Sequence, residues 1–462
     1  MNPYDEVDYT NRPYRQTHPD HIAALARLHG LDPPPPDRAR VLDIGASEGG
    51  NILPMAEAMP ESEFVGIDLA AVPIQRGQEA IAALGLRNIR LAQMNLLDLD
   101  ESFGKFDYII AHGLYAWTPP EVGDKILQIA ETNLSANGIA FISYNTHPGG
   151  HFRKLVRDMM LFACGRESEP AKRLHAARAM LALVGRGCPE PDAIEAAVAH
   201  QARSVGERDD SSLYHDYLAP VFEPVYFFDF AGHSARHGLA YVADADVGDT
   251  YNMKLSPEAM EAVRGAAGAG RIAQEQLLDF LRLRRFRRSL VCRAEHKPWA
   301  RWNPERAMGL YASSSAIETE EESTFLAGRL RVTLESTAVR YLRRLIAQRP
   351  RAEAIAPEDA DIALELYRRE MVELRVLPGL ASPAGETPKA SRLARYQAAK
   401  GDAAVATLRH RSLAIGDPRA RKLLTLLDGS RDREELAREM ECSREELDAQ
   451  LKAIEHHALL ME

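Results

Sequence analysis

The chain has 462 residues, of which 45% are hydrophobic and 27% charged, a composition that excludes a wholly disordered or fibrous protein. Lys and Arg number 57 against 67 Asp and Glu, for a formal net charge of -10, so charge alone gives no case for a nucleic-acid partner. Cys164, Cys188, Cys292 and Cys442 lie far apart, with no CxxC and no Cys/His metal spacing. They read as reduced thiols of a cytoplasmic protein, and no metal is expected. The polar, acidic start from Met1 to Thr10 predicts no signal peptide, and no apolar run is long enough to predict a membrane span.

In chain order, residues 1–36 read as a polar, aromatic N-terminal arm ending in the stiff run Pro33 to Pro36. An alternation of strands and helices follows. Val41–Gly45 is a short apolar strand. The helix after it carries Ile52, Leu53, Met55, Ala56 and Met59. Phe64–Asp68 is a second strand. The next helix has Pro73 in its first turn and Gly85 just past its end, as helix termini favour. Ile89–Leu91, Phe106–Ile110 and Ile139–Ile142 make five strands. Strands this apolar are buried on both faces, which predicts an α/β fold with a parallel sheet between helices.

Residues 152–221 read as a helical insertion suited to dimerisation. Strand signals return at Leu239–Ala243 and, after a helix over 273–284, at Arg288–Cys292. The expected Rossmann-like domain is therefore split, 37–151 and 222–297; the competing arrangement is a separate domain at 210–295. A weak internal repeat marks the rest. Val332 and Leu334 alternate before Ser336, a candidate cap; Leu413 and Ile415 alternate before Asp417. Ser430 precedes a further helix, Ser443 with Glu446 makes a capping box before another, and Ala458–Met461 closes as a strand. These parts predict winged-helix-like domains at 298–378 and 400–462, joined by a Pro/Gly-rich linker within 378–402; a loose helical bundle is the alternative.

The loop Asp43-Ile-Gly45-Ala46-Ser47-Glu48-Gly49-Gly50-Asn51 carries the strongest chemical signal. Small residues let the backbone turn tightly and approach a ligand. Asp43 and Glu48 would repel a pyrophosphate and suit a ligand with a cationic centre, such as S-adenosylmethionine. Asp68, with Leu69 after it, ends the second strand where a carboxylate can grip ribose hydroxyls. Asn95 and Leu96 end the third, where an amide can read an adenine edge. Ala111, His112, Tyr115 and Trp117 follow the fourth, and Tyr144, Asn145 and His147 the fifth. Ligands of open α/β sheets bind along this edge.

Several stretches resemble bacterial class I S-adenosylmethionine-dependent methyltransferases with a methyltransferase regulatory domain, a family that includes rickettsial outer-membrane-protein lysine methyltransferases. They are Gln16–Pro19, Gly49–Asn51, Phe64–Asp68, Phe106–Gly113, Tyr144–Gly149, Tyr214–Leu218 and Arg285–Cys292, and the tail around Leu427–Arg433 is similar too. The resemblance covers nearly the whole chain. It departs at Ala46, where the family often has cysteine, and at Gly150, where a bulky ring is usual.

The resemblance implies S-adenosylmethionine as cofactor, methyl transfer as reaction and protein or peptide lysine as acceptor. The expected cofactor contacts are Asp43, Gly45, Ala46, Ser47, Gly49, Asn51, Asp68, Leu69, Asn95, Leu96, Ala111 and His112. Gln16, Thr17 and His18 are added by an arm expected to fold over the site as a lid that excludes water. Tyr144 and Asn145 are expected to grip the acceptor amine, with His112 a candidate base. Tyr115, Trp117, His147 and His151 are expected to line the acceptor side. A small metabolite is the second acceptor class, and a non-catalytic, cofactor-sensing regulator that uses winged helices on DNA the third reading. The mixed charge of 431–456 argues against a DNA-reading helix. The arginines at 282, 284, 285, 287, 288 and 293 are expected to pair with acidic neighbours rather than bind nucleic acid.

Overall fold

The computed structural model describes residues 11–187, 189–248, 255–266, 268, 270–328 and 330–462. The start Met1–Thr10 and Cys188 lie outside the described residues. Seven strands form the central sheet: β1 (Arg40–Ile44), β2 (Glu63–Asp68), β3 (Ile89–Gln93), β4 (Phe106–Ala111), β5 (Leu134–Asn145), β6 (Leu239–Asp244) and β7 (Phe286–Arg293). Their order is β3-β2-β1-β4-β5-β7-β6. β1 to β5 pair in parallel, and β7 runs antiparallel between β5 and β6. This is the open, Rossmann-like sheet expected. It switches direction across β1, where β2 and β4 flank it, so the carboxyl ends of β1, β2 and β4 border one crevice.

Crossover helices cover both faces: α1 (Pro19–Leu28), α2 (Leu53–Ala58), α3 (Ala71–Leu84) and α4 (Pro120–Asn133). Gly85 closes α3 with φ 63°, a left-handed turn that glycine adopts without strain. Between β5 and β6 lie α5 (Gly150–Cys164), α6 (Pro170–Arg186), α7 (Ala193–Gly206), α8 (Asp210–Tyr217) and α9 (Phe227–Arg236); α10 (Pro257–Ala266) and α11 (Arg271–Arg282) precede β7. The first four of these build their own apolar core around Val156, Met160, Leu181, Val205 and Leu213.

The N-terminal segment, expected to be a polar, aromatic arm, is helical and buried over residues 19–28. Ile22 to Leu28 form a helix whose apolar side chains are almost wholly buried, and Leu25 and Leu28 share one continuous core with Phe141 of the sheet and Leu342 and Leu364 of the middle region. The small apolar run Ile22-Ala-Ala-Leu-Ala makes this possible, since it packs closely on three sides. Asp20 clamps the same helix to the middle region, accepting from the backbone N–H groups of Val376 (2.5 Å) and Leu377 (2.9 Å).

That middle region combines β8 (Tyr311–Ser313), a meander of β9 (Ile317–Glu318), β10 (Thr324–Ala327) and β11 (Leu330–Thr333), then α12 (Ser336–Ala347), β12 (Glu353–Ala354), α13 (Ala360–Arg368) and β13 (Glu373–Arg375). The tail holds β14 (Lys389–Ala390), α14 (Arg392–Lys400), β15 (Ala404–Ala406), β16 (Ser412–Ala414), α15 (Pro418–Leu426), α16 (Arg433–Glu439), α17 (Arg444–His456) and β17 (Leu460–Met461). Two expectations need correction here. Residues 389–400, read as linker, are β14 and α14; Ser391 and the Arg392 N–H bond Glu57 of α2 at 2.7 and 2.6 Å. The cap of α16 is Asp432, which forms a capping box with Glu435, while Ser430, two residues earlier, bonds Asp428. The Ser443–Glu446 box before α17 is present.

Candidate active site

β1 ends in a loop of short hydrogen bonds. The N–H groups of Gly45 and Ala46 both donate to Ile67 O, at 2.8 and 3.0 Å. Gly45 and Ser47 sit at φ 79° and 49°, conformations that favour small or flexible residues. Asp68, at the tip of β2, organises both elements: its carboxylate accepts from Ser47 N and from Ala70 N, each at 2.8 Å. Just beyond it Leu69 is 59% exposed, and Leu97 after β3 is 41% exposed. They follow the ends of neighbouring strands, Asp68 pairing with Gln93, and exposed apolar side chains after such strand ends suit a purine and its ribose. Leu97 was not singled out from sequence; only its exposure reveals it. Asn95 is exposed and caps the short turn after β3, accepting from Leu97 N at 3.1 Å, with Leu96 packed beneath it.

Asp43 is buried at the other side of the loop, where loss of water raises its pKa to about 7. Asn51 sits over it and donates from Nδ2 to Asp43 Oδ2 at 3.4 Å. The carbonyl of the same amide is a junction. It accepts from Tyr14 N (3.2 Å) and from His410 Nε2 (3.0 Å), and Thr17 Oγ1 lies 2.9 Å away. Thr17 is thus a buried brace on Asn51. His18 caps α1 through Nδ1, meets the His410 ring edge-on, and has its pKa driven well down by burial. Gln16 reaches Asp246 at 3.4 Å. Asn11 Nδ2 donates to Ala46 O at 2.7 Å, and its backbone lies against Gly50 so closely that a Cβ there would clash at 2.8 Å. The segment from Asn11 to Thr17 therefore lies on the glycine loop.

His112 follows β4 and touches Tyr14 (ring centroids 4.2 Å), Phe141 and Phe286. Burial, then the cations Arg288 and Arg12, push its pKa down to about 3. Its Nδ1 lies 2.7 Å from Ser143 Oγ, which also accepts from Gly113 N. Leu114 leans over Gly45, within 3.1 Å of where a Cβ would stand.

Strand alternation divides the residues expected at the acceptor. Ser143 and Asn145 share one face of β5 with Phe141, the face that His112 touches; Tyr144 points to the other. Tyr144 is fully buried, stacked on Phe230 at 4.2 Å, with its hydroxyl 3.0 Å from Ser289 Oγ. Tyr115 joins that second cluster, 5.6 Å from Tyr144, with its hydroxyl 2.7 Å from His233 Nδ1. Trp117 packs on Phe222 at 4.6 Å under Arg153. His147 stacks on the exposed His151 at 3.9 Å. Asn145 is buried; its Nδ2 donates to Arg285 O at 3.4 Å, while its Oδ1 has no hydrogen-bond partner among the described residues.

The arginine cluster is largely consumed inside. Arg287 bonds Asp279 (2.8 Å) and Glu275 (3.1 Å), Arg284 lies 2.9 Å from Asp244, and Arg288 bonds Asp246 at 2.7 Å. No described helix is long and apolar enough to cross a membrane.

Comparison with known proteins accounts for this arrangement. A "Methyltransferase domain" model matches residues 36–192, a "Predicted methyltransferase regulatory domain" model residues 209–293, and a "PKMT, C-terminal winged helix domain" model residues 386–457. The uncharacterized protein RP789 of Rickettsia prowazekii is 37% identical over 64% of this chain, which spans 53% of that relative's length. The uncharacterized protein RP028 of the same organism is 37% identical over 49% of this chain and 91% of its own. PKMT2 from Rickettsia typhi in complex with AdoHcy superposes with a TM-score of 0.85 at 25% identity, covering 98% of this chain and 99% of that one. The regulatory-domain match runs through β6 and β7, so that unit completes the cofactor-binding sheet. On fold, site and kinship together, the chain belongs to the S-adenosylmethionine-dependent class I methyltransferases that carry a methyltransferase regulatory domain and a PKMT-type winged helix.

Proposed function

We propose that this protein methylates lysine side chains of a protein or peptide. The reading is carried by the likeness to PKMT2 over 98% of the chain, winged helix included; the resemblance to lysine methyltransferases read from sequence agrees with it. S-adenosylmethionine, when bound, supplies an electrophilic methyl group on a sulfonium. The chain's own residues bind and orient.

In this reading Asp68 holds the ribose, Leu69 and Leu97 flank the adenine, and Asp43 faces the cationic end through the loop. Asn11 and Tyr14 cover the loop and keep water out. A lysine amine has a pKa of about 10.4, so deprotonating it at pH 7 costs roughly 4–5 kcal/mol. Desolvation and a nearby sulfonium both reduce that cost. His112, held at about 3, is neutral and a feeble base, so its part is to shape the site. The unpartnered Asn145 Oδ1 is an acceptor suited to an amine N–H. Tyr144 and Tyr115 support β5 from behind.

The test is transfer of labelled methyl from S-adenosylmethionine into lysate proteins, followed by peptide mass spectrometry. Mass increments of one methyl on lysine support the reading. Label confined to small molecules overturns it and favours a metabolite acceptor.

A further inference from the structure

The structure assigns a zinc-class metal site to Asp124, His233 and His237, away from the cofactor crevice and clamping α9 to α4. The two histidines stand four residues apart, at the last turn of α9 and just past it, and their rings lie 5.4 Å apart. Their Nε2 atoms converge on one oxygen, Asp124 Oδ1, at 2.9 and 3.0 Å. All three ligand atoms lie within 4.8 Å of one another; an ion bonded at about 2.0–2.2 Å to each spans ligand pairs of at most about 4.4 Å, so small side-chain rotations bring the three into range.

The outer contacts argue for a metal rather than a chance ion pair. Each ring has its second nitrogen held. Tyr115 OH sits 2.7 Å from His233 Nδ1, and Glu131 Oε2 sits 3.0 Å from His237 Nδ1. Metal-binding histidines are oriented in this way, with one nitrogen on the ion and the other giving its N–H to a carboxylate or hydroxyl oxygen. His237 faces a carboxylate on both sides, which is satisfied either by a ring carrying both N–H groups or by a neutral ring with a cation at one nitrogen. Moving the neutral ring's proton to Nδ1 and placing a divalent ion at Nε2 satisfies both. On His233 the single N–H likewise shifts from Nε2 to Nδ1, where the Tyr115 hydroxyl oxygen accepts it, so neither neutral ring loses a proton when the ion binds. Two imidazoles and one carboxylate suit Zn2+ rather than Ca2+ or Mg2+. The Asp124 side chain is 62% exposed, which leaves room for water as a fourth ligand.

The ligands come from both matched segments: Asp124 from 36–192, the histidines from 209–293. The ion would staple the regulatory segment to the methyltransferase segment, and Tyr115 would carry its presence to the aromatic cluster behind β5.

The test uses the full chain, stripped with chelator and titrated with ZnCl2 by calorimetry. One Zn2+ per chain is expected, with a rise in Tm reversed by chelator, and visible absorption of a four-coordinate site when Co2+ replaces it. Glu131→Gln should weaken Zn2+ binding about 10–100-fold by loosening His237, and His237→Ala should abolish it. If His237→Ala fails to fold, Asp124→Asn, a near-isosteric change at an exposed position, gives the same comparison. Zn2+ affinity equal in wild type and Asp124→Asn, or a Tm indifferent to both Zn2+ and chelator, overturns the assignment.

Discussion

Asn51 and His410 lie 359 positions apart in sequence and 3.0 Å apart in space, with His410 Nε2 donating to Asn51 Oδ1. The winged-helix tail therefore touches the last residue of the glycine loop, just before α2, and the same amide reaches Asp43. Replacing Asn51 with alanine strands two donors, Tyr14 N–H and His410 Nε2–H. Each orphaned buried partner costs about 1–3 kcal/mol. Urea unfolding should show a loss of that order, and calorimetry a weaker affinity for S-adenosylmethionine. Unchanged values in both would mean the junction is idle.

Asp68 holds the loop and α3 together through Ser47 N and Ala70 N. Asp68→Ala should abolish detectable cofactor binding by calorimetry and methyl transfer with it. Circular dichroism should remain that of a folded protein, since the residue is only half-buried.

Asp43 is raised to about 7 by burial, so the folded chain holds its proton more tightly than the unfolded one. Its contribution to stability is complete below the unfolded value near 4 and is lost as pH climbs through 7. A cationic ligand prefers the ionised form. Affinity for S-adenosylmethionine should therefore grow up to about tenfold per pH unit below 7 and flatten above it. Asp43→Asn should remove that slope; a wild-type affinity flat from pH 5.5 to 8 would contradict the account.

The buried histidines act in the opposite sense. His112 and His410 are each pushed down to about 3 and His21 to about 4, all chiefly by burial. Their stabilising contribution is intact above the unfolded value near 6.5 and is lost as pH falls toward those folded values. Each costs about 1.4 kcal/mol per pH unit over that range. Tm should fall steeply between pH 6 and 4.5, and His410→Gln should make the fall shallower.

Asn11 and Tyr14 lie on the loop, with Asn11 Nδ2 on Ala46 O and the Tyr14 ring on His112. A double Asn11→Ala, Tyr14→Ala variant should bind cofactor more weakly while keeping its Tm within a few degrees. Removing residues 1–30 is a poorer probe, because it also strips buried α1.

Much of this was legible in the sequence because the signals were local. β1 to β7 were readable as apolar runs, and the glycine loop and Asp68 by position at strand ends. Capping chemistry placed α15 and α17. Other features depend on distant partners. Nothing near His410 says that it will meet Asn51, and α1, within a segment read as a polar, aromatic arm, becomes core only because the middle region closes over it. The His233–His237 pair has a visible spacing, yet Asp124 and Glu131 arrive from another helix. Tyr144 looked like an acceptor contact, but alternation along β5 turns its side chain to the far face, and only Asn145 shares the His112 side.

Consider the order in which a ribosome delivers these parts. The glycine loop emerges early, but its brace, His410, follows Asn51 by 359 positions. Throughout most of synthesis the nascent chain holds an unfinished cofactor loop beside exposed β5, whose edge partner β7 arrives only after the helical insertion. A fully braced glycine loop thus exists only once His410 has docked on Asn51, which ties that support to folding of the tail rather than to folding of the first domain alone.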